Sequence, residues 1–283
     1  MKEYKNFVAV EGDFLGKGFT AIHSKKADYM FRNSVNVDMD NISSMIVFEH
    51  DLRIDLSLSL PDDLYWMECV HGDCIIDLEE YEEEFNYFEV SLGRIKLVYP
   101  GIKCDGIITS DKNKVLALLT ADCMPVYLVD ATNNVFGLVH SGWKGTLLSI
   151  VPKAIRKMVK KGAKLENIKV FIGPSISINA FEVDSDVAHQ FVLYMNRNLI
   201  NETSFMFKKG EKYHINLSGI LKEVLRKEGI NVENNLLVSN DCTYLNMERD
   251  EYKYHSYRRD KADSGRNISI LMYKDDEKQK CFK

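Results

Sequence analysis

Three short apolar runs, parted by two polar breaks, mark the middle of the chain. Val115-Leu116-Ala117-Leu118-Leu119 has no polar interruption, the pattern of a strand covered on both faces. Thr120-Ala121-Asp122-Cys123 is a polar loop, and Pro125 restarts the chain into Val126-Tyr127-Leu128-Val129. Asp130 to Asn134 is turn chemistry, because Asp and Asn tolerate left-handed backbone and bond back to their own chain. Val135 to Val139 then returns as the partner strand. Further strands are predicted at Phe7 to Val10, Ser44 to Phe48, the alternating Leu52 to Leu58, Tyr65 to His71, Ile107 to Thr109, Ile168 to Ile172, Leu236 to Val238 and Ile268 to Tyr273. Lys25 to Asn41 is polar and carries no period.

Helical spacing is clearest after Thr146. Leu147, Val151, Ala154, Ile155, Met158 and Val159 share one face at a period of 3.6, with Ser149 as N-cap, Pro152 in the first turn and Gly162 as the stop. A second helix is predicted from Asp184 or Ser185 to about Asn196, and a third from Asn216 or Ser218 through Lys227, closed by Gly229. No repeat, low-complexity linker or composition break divides the chain. The expected fold is α+β, a single domain over 1–283 with a mixed sheet and flanking helices, and a charged tail from Lys274.

The central hairpin carries chemistry. Cys123 lies seven residues before the turn and His140 six after it, so both reach the open end of the hairpin, opposite or nearly opposite each other. Strands in a sheet lie about 5 Å apart, close enough for a thiolate and an imidazole to share one metal ion or one proton. A buried cysteine beside an unrelated strand-end histidine fits the residue types equally well. His71-Gly72 ends a predicted strand, where a histidine is free to face a cleft. Gly142 and Gly145 bracket a loop that enters a helix, a plausible cradle for an anion. Arg258, Arg259 and Arg266 lie among aromatics and suit an anionic or planar ligand, or a surface charge cluster. Leu78 to Phe88, with Glu79, Glu80, Glu82, Glu83 and Glu84, reads as a solvated surface segment.

Composition narrows the class. The 283 residues are 45% hydrophobic and 28% charged, with net charge −5, so neither a nucleic-acid footprint nor a membrane span is expected. The N-terminus lacks the apolar core of a secretory signal, which predicts a cytoplasmic protein. Six cysteines (69, 74, 104, 123, 242 and 281) form no C-x-x-C pair, so they are expected to be free thiols, with one recruited to chemistry.

Taken together, the motifs resemble the laccase-domain (YfiH-like) family. It was first labelled multicopper polyphenol oxidase and is described as purine nucleoside phosphorylase with adenosine deaminase side activity. The matching stretches are Val70-His71-Gly72, Asp105-Gly106, Thr120 to Pro125, Val139 to Thr146, Ile172 to Ile176, Phe181-Glu182-Val183, Asp241-Cys242-Thr243 and Ser256 to Asp260. The resemblance implies a metal site of His71, Cys123 and His140, open at its fourth position as a catalytic zinc is, with copper as the alternative metal. It implies a purine nucleoside and phosphate as substrates, with Lys144, Arg258 and Arg259 as phosphate ligands and Asp122 as a candidate acid or base. A monomer or homodimer is expected. Departures are Cys69 where the family usually has Gln, Lys144 where it has Arg, and a divergent stretch over 1–60. None of the seven histidines forms a His-x-His pair, which argues against blue-copper oxidase chemistry. Two other classes stay open: a metal-free cysteine hydrolase using Cys123 and His140, and a non-enzymatic binding or regulatory protein.

Overall fold

A computed structural model describes residues 1–26, 31, 39–56, 63–81, 86–90, 95–99 and 102–274. Two large mixed sheets lie face to face, and alternation along their strands sets the layer order. In strand Lys114–Thr120, Val115, Ala117 and Leu119 face one apolar cluster, and Leu116 and Leu118 face another. The first cluster lies under helix Met39–Leu56, and the second fills the space between the sheets. In strand Met124–Asp130, Tyr127 and Val129 enter that same inter-sheet cluster, while Val126 and Leu128 face helices Ile150–Lys160 and Leu217–Lys227 on the far side. Side chains at successive strand positions point to opposite faces, so an unbroken apolar run is what a strand covered on both sides requires. The observed layers confirm the predicted α+β class of mixed sheets with flanking helices.

The central hairpin is in the predicted place. Met124–Asp130 and Val135–Ser141 pair antiparallel from Met124–Ser141 to Asp130–Val135. The Asp130 carboxylate closes the turn by accepting from the Thr132 and Asn133 amides at 3.0 Å each, and Asn134 takes a left-handed φ of 58°. The hairpin sits centrally in a six-stranded sheet, between Lys169–Ile172 and Gly106–Thr109, with Leu236–Val238 and Ile75–Asp77 at the edges. In the larger sheet, the last strand Asn267–Tyr273 lies between Phe19–Ser24 and Lys114–Thr120.

Several expectations change. Ser44 to Phe48 and the described part of Leu52 to Leu58 are not strands but lie in helix Met39–Leu56. Met45, Phe48 and Leu52, spaced three and four apart, are the buried side chains, packed with Phe31. Exposed Val47 and Ile54 supplied the misleading alternation. The helix predicted from Ser149 runs over Ile150–Lys160 with Ser149 as N-cap, but its hydroxyl bonds Tyr194 Oη at 3.1 Å and not the helix amides. Leu147 belongs to a separate short helix, Trp143–Leu147, and Val159 is exposed. The strand leading to His71 stops at Glu68, and His71 itself takes a left-handed φ of 59°. Within the acidic segment, Glu79 is not simply solvated: it accepts from Thr109 and pairs with Lys114 and Lys161, while residues 82–85 lie outside the described set. The charged tail beyond Lys274 and most of the polar stretch at 25–41 also lie outside it.

One hydrogen bond crosses the inter-sheet layer. Tyr127 is fully buried, and its hydroxyl donates to the Ile22 carbonyl at 2.7 Å. Tyr127→Phe removes that bond and leaves the Ile22 carbonyl with its sheet partner alone, so stability to urea should fall by about 0.5–1.5 kcal/mol with metal content unchanged. An unaltered unfolding midpoint would remove this bond from the list of what joins the two sheets.

Candidate metal centre and cavity

The open end of the hairpin does bring Cys123 to His140, one step from the predicted alignment. His140 pairs with Pro125, and continuing the register past Met124 sets Cys123 opposite Gly142. The cysteine and histidine are therefore diagonal neighbours. Gly142 is required at that point, because a Cβ there would lie 2.9 Å from Cys123 Sγ, 3.7 Å from His140 Cε1 and 3.8 Å from His71 Cδ2. His71 arrives from the loop after strand Asp63–Glu68, and its ring stands edge-on to that of His140 with centroids 4.8 Å apart. Ligand atoms of His71, Cys123 and His140 all lie within 4.8 Å of one another.

Asp105 orients this cluster. Its carboxylate is fully buried and accepts from the His71 amide at 2.9 Å, the Gly72 amide at 2.7 Å and His140 Nδ1 at 2.9 Å. With Nδ1 engaged, His140 Nε2 is left for Cys123 and His71, as in a carboxylate–histidine–metal arrangement. Burial pushes the Asp105 carboxyl up, but the hydrogen bonds from His140, Gly72 and His71 outweigh it and hold the group below the usual carboxylate range. Burial likewise raises the Cys123 thiol, and the charge and hydrogen bonds of His140 and His71 bring it down to about 6. Burial lowers His140, yet Cys69, Cys123 and Asp105 raise it well above the ordinary imidazole value. Both shifts favour thiolate and imidazolium in the metal-free pair.

This donor set fits a metal. A thiolate and two imidazoles converge, and an outer carboxylate fixes one ring. Among the described residues, a second candidate group, Cys69, Asp105 and His140, shares His140 with the first, so separate donor sets for several metals are not assembled. Cysteines 69, 74, 104, 123 and 242 are all free.

The cluster forms one end of a cavity of about 780 Å³. Trp143, Ile176, Phe181, Val187 and Leu217 give it an apolar wall, and Lys212, Arg258, Lys261 and Arg266 give it cations. The predicted phosphate ligands fare differently. Arg258 lines the cavity, with Nη1 donating to the Glu182 carbonyl at 2.7 Å. Lys144 is not among the lining residues, and its ammonium lies 5.6 Å from the Trp143 ring. Arg259 is spent elsewhere, on Asp260 and on the carbonyls of Thr243, Tyr244 and Tyr254. Asp122 borders Cys123 with a left-handed φ of 90°, and its oxygens accept from Thr243 Oγ1 at 2.7 Å and the Arg258 amide at 2.6 Å. The Gly142–Gly145 segment is the first turns of helix Trp143–Leu147 and not an open loop, and of its two glycines Gly142 reaches the cavity.

Comparison with known proteins places this arrangement. The family model described as multi-copper polyphenol oxidoreductase laccase matches residues 30–274. The chain belongs to that family. A curated relative from Deinococcus radiodurans, named purine nucleoside phosphorylase, is 32% identical over 167 residues, which is 59% of this chain and 60% of that protein. The chain thus spans about three fifths of the length of that relative. The crystal structure of the hypothetical protein YfiH from Bacillus licheniformis superposes with a TM-score of 0.68 at 26% identity, covering 90% of this chain and 93% of the other. YlmD from Geobacillus stearothermophilus reaches 0.74 at 22% identity, with 97% and 98% covered, and shares the fold. The laccase-domain resemblance read from the motifs therefore stands, and the family's laccase-like model stops just short of the N-terminal strands.

Asp105→Asn replaces an acceptor with an amide facing N–H groups. It is expected to weaken zinc binding about 10–100-fold in competition with a chromophoric chelator, the usual cost of losing an outer carboxylate. Unchanged affinity would show that His140 needs no such support. Metal binding must also expel the proton held by His140, because a ligating imidazole is neutral. The raised His140 value means that proton is present at pH 7 and lost as pH rises, so zinc affinity should increase with pH above neutrality. Calorimetry in buffers of different ionisation enthalpy should read about one proton released per zinc at pH 7.

Proposed function

We propose that the protein is a zinc-dependent purine nucleoside phosphorylase, cleaving adenosine, inosine or 5′-methylthioadenosine with phosphate to the free base and a pentose 1-phosphate. One observation carries the reading: a thiolate and two imidazoles share a cavity with an apolar wall wide enough for a purine and with cations for phosphate. The curated relative's name supports the same reaction. A phosphate oxygen forms its bond to C1′ of the ribose as the C1′–N9 bond breaks. The bonding pair leaves with the purine, which takes up a proton. Trp143, Phe181 and Leu217 offer the apolar surface on which a base is sequestered from water, and Arg258 a charge for phosphate. His71, Cys123 and His140 would hold the metal, which when bound supplies Lewis acidity to an oxygen in its open position. The reading includes adenosine deamination as a side reaction in the same cavity. Asp122 has both oxygens engaged, which favours a role in placing the Cys123 loop and Arg258 over one in proton transfer.

A second reading rests on the low Cys123 value. A thiolate of pKa about 6 beside His140 is also what a metal-free cysteine hydrolase needs. Chelation and alkylation separate the two. Under the zinc reading, iodoacetamide spares Cys123 in loaded protein and modifies it after chelation, and a nucleoside panel releases free base only when phosphate is present. Rapid alkylation and inactivation of untreated protein, with indifference to chelator, would establish the hydrolase instead.

A further inference from the structure

Arg266 lies in a turn of the sequence, Ser264-Gly265-Arg266, that the fold carries into the cavity wall. Its backbone is fixed, since its amide donates to the Phe31 carbonyl at 2.8 Å. The next residue, Asn267, pairs with Thr120. Continuing that antiparallel register by one residue brings Arg266 level with Ala121, beside Asp122 and Cys123. The guanidinium uses Nη1 on the Ser264 and Gly265 carbonyls, at 2.9 and 3.1 Å, and lies 5.8 Å from the Tyr257 ring.

Cys123 and Asp122 lie near enough to favour the charge of Arg266 without forming an ion pair with it. Arg259 pairs with Asp260 and Lys212 with Asp184, whereas among the described residues no carboxylate pairs with Arg266. Among the described residues, Nε and Nη2 have no hydrogen-bond partner. Burial accordingly lowers its pKa from the ordinary arginine value. A half-buried guanidinium with its Nε and Nη2 edge free offers a planar fork that matches two oxygens of a phosphate. A second group points the same way. Thr120 lines the same cavity and is 2% exposed, and among the described residues its Oγ1 has no hydrogen-bond partner.

We propose that Arg266 is the receptor for a phosphate-class oxyanion beside Cys123 in the cavity, with the unpartnered Thr120 hydroxyl as an auxiliary donor. Arg258, with Nη1 on the Glu182 carbonyl and its guanidinium over Phe181, then contributes charge from further out. This deepens the phosphorolysis reading and rests on it for the use to which the anion is put. The anion is inorganic phosphate or the phosphate of a nucleotide, which share the same oxygens.

The test needs no nucleoside turnover. Radiolabelled orthophosphate binding to the full-length, zinc-loaded protein is measured by equilibrium dialysis. Arg266→Gln should weaken it about ten- to hundred-fold, Thr120→Val less, and Arg266→Lys should recover part of the loss. Arg156→Gln, which breaks an ion pair to Glu228 outside the cavity, should leave it unchanged. Because Arg266→Gln can fail to fold, the unmutated protein is also treated with phenylglyoxal and mapped by mass spectrometry. Orthophosphate should slow modification of Arg266 and not of Arg156. Equal modification with and without orthophosphate overturns the proposal, as does unweakened binding in folded Arg266→Gln. Adenosine 5′-monophosphate protecting at tenfold lower concentration than orthophosphate would support the receptor and name a nucleotide phosphate as its anion. Protection of Arg266 without phosphorolysis of any nucleoside would remove the phosphorylase reading and leave the anion receptor standing.

Discussion

The site depends on one buried carboxylate. Asp105 accepts from two successive amides of the His71 loop and from the His140 ring, so a single side chain ties a loop following one sheet to the hairpin of the other. Its backbone takes part as well, since the Asp105 carbonyl accepts the His140 amide at 2.8 Å. A carboxylate removed from water must have its oxygens satisfied, and here the donors that satisfy it belong to residues that must converge. The left-handed backbone at His71 is tolerable on the same account: two adjacent amides that point at one carboxylate offset the strain of that conformation.

The cavity combines two kinds of lining. Sulfur and imidazole donors and Arg266 contribute polar groups, and Trp143, Phe181, Val187 and Leu217 contribute apolar surface. Such a lining suits a ligand with both an apolar plane and an anionic group. Four separate regions of chain build it: the loop carrying Cys69 and His71, the ends of the central strands, the segment from Ile176 to Val187 with Lys212 and Leu217, and the arginine-bearing stretch from Tyr257 to Arg266.

What the sequence revealed follows from which signals are local. The hairpin was legible because doubly covered strands leave continuous apolar runs and because Asp130 and Asn134 announce the turn. Cys123 and His140 followed from counting along it. Helix Met39–Leu56 was misread because Val47 and Ile54, both exposed, imitate the alternation of a strand. The small sheet of Glu182–Val183, Met206–Lys209 and Lys212–Ile215 went unseen, since short, largely exposed strands such as Met206–Lys209 leave no apolar run to read. Arg259 and Arg266 were indistinguishable by composition. Long-range partners decide between them: Arg259 is consumed by carbonyls and Asp260, and Arg266 is brought to the cavity by pairing across 147 residues. Asp105 carried a faint local sign, a carboxylate at the mouth of a strand just before a glycine, but its role needed the His71 loop to be folded against it.

The Thr120–Cys123 loop is where the chain steps from the larger sheet to the six-stranded one, because strand Lys114–Thr120 belongs to the first and Met124–Asp130 to the second. Cys123 rides on that step, while His140 is anchored within the second sheet alone. The sulfur-to-imidazole separation is therefore a gauge of how the two layers are seated on each other. The Tyr127, Phe136 and Leu118 interlayer that seats the two sheets on each other thus also sets where the sulfur stands relative to the imidazole.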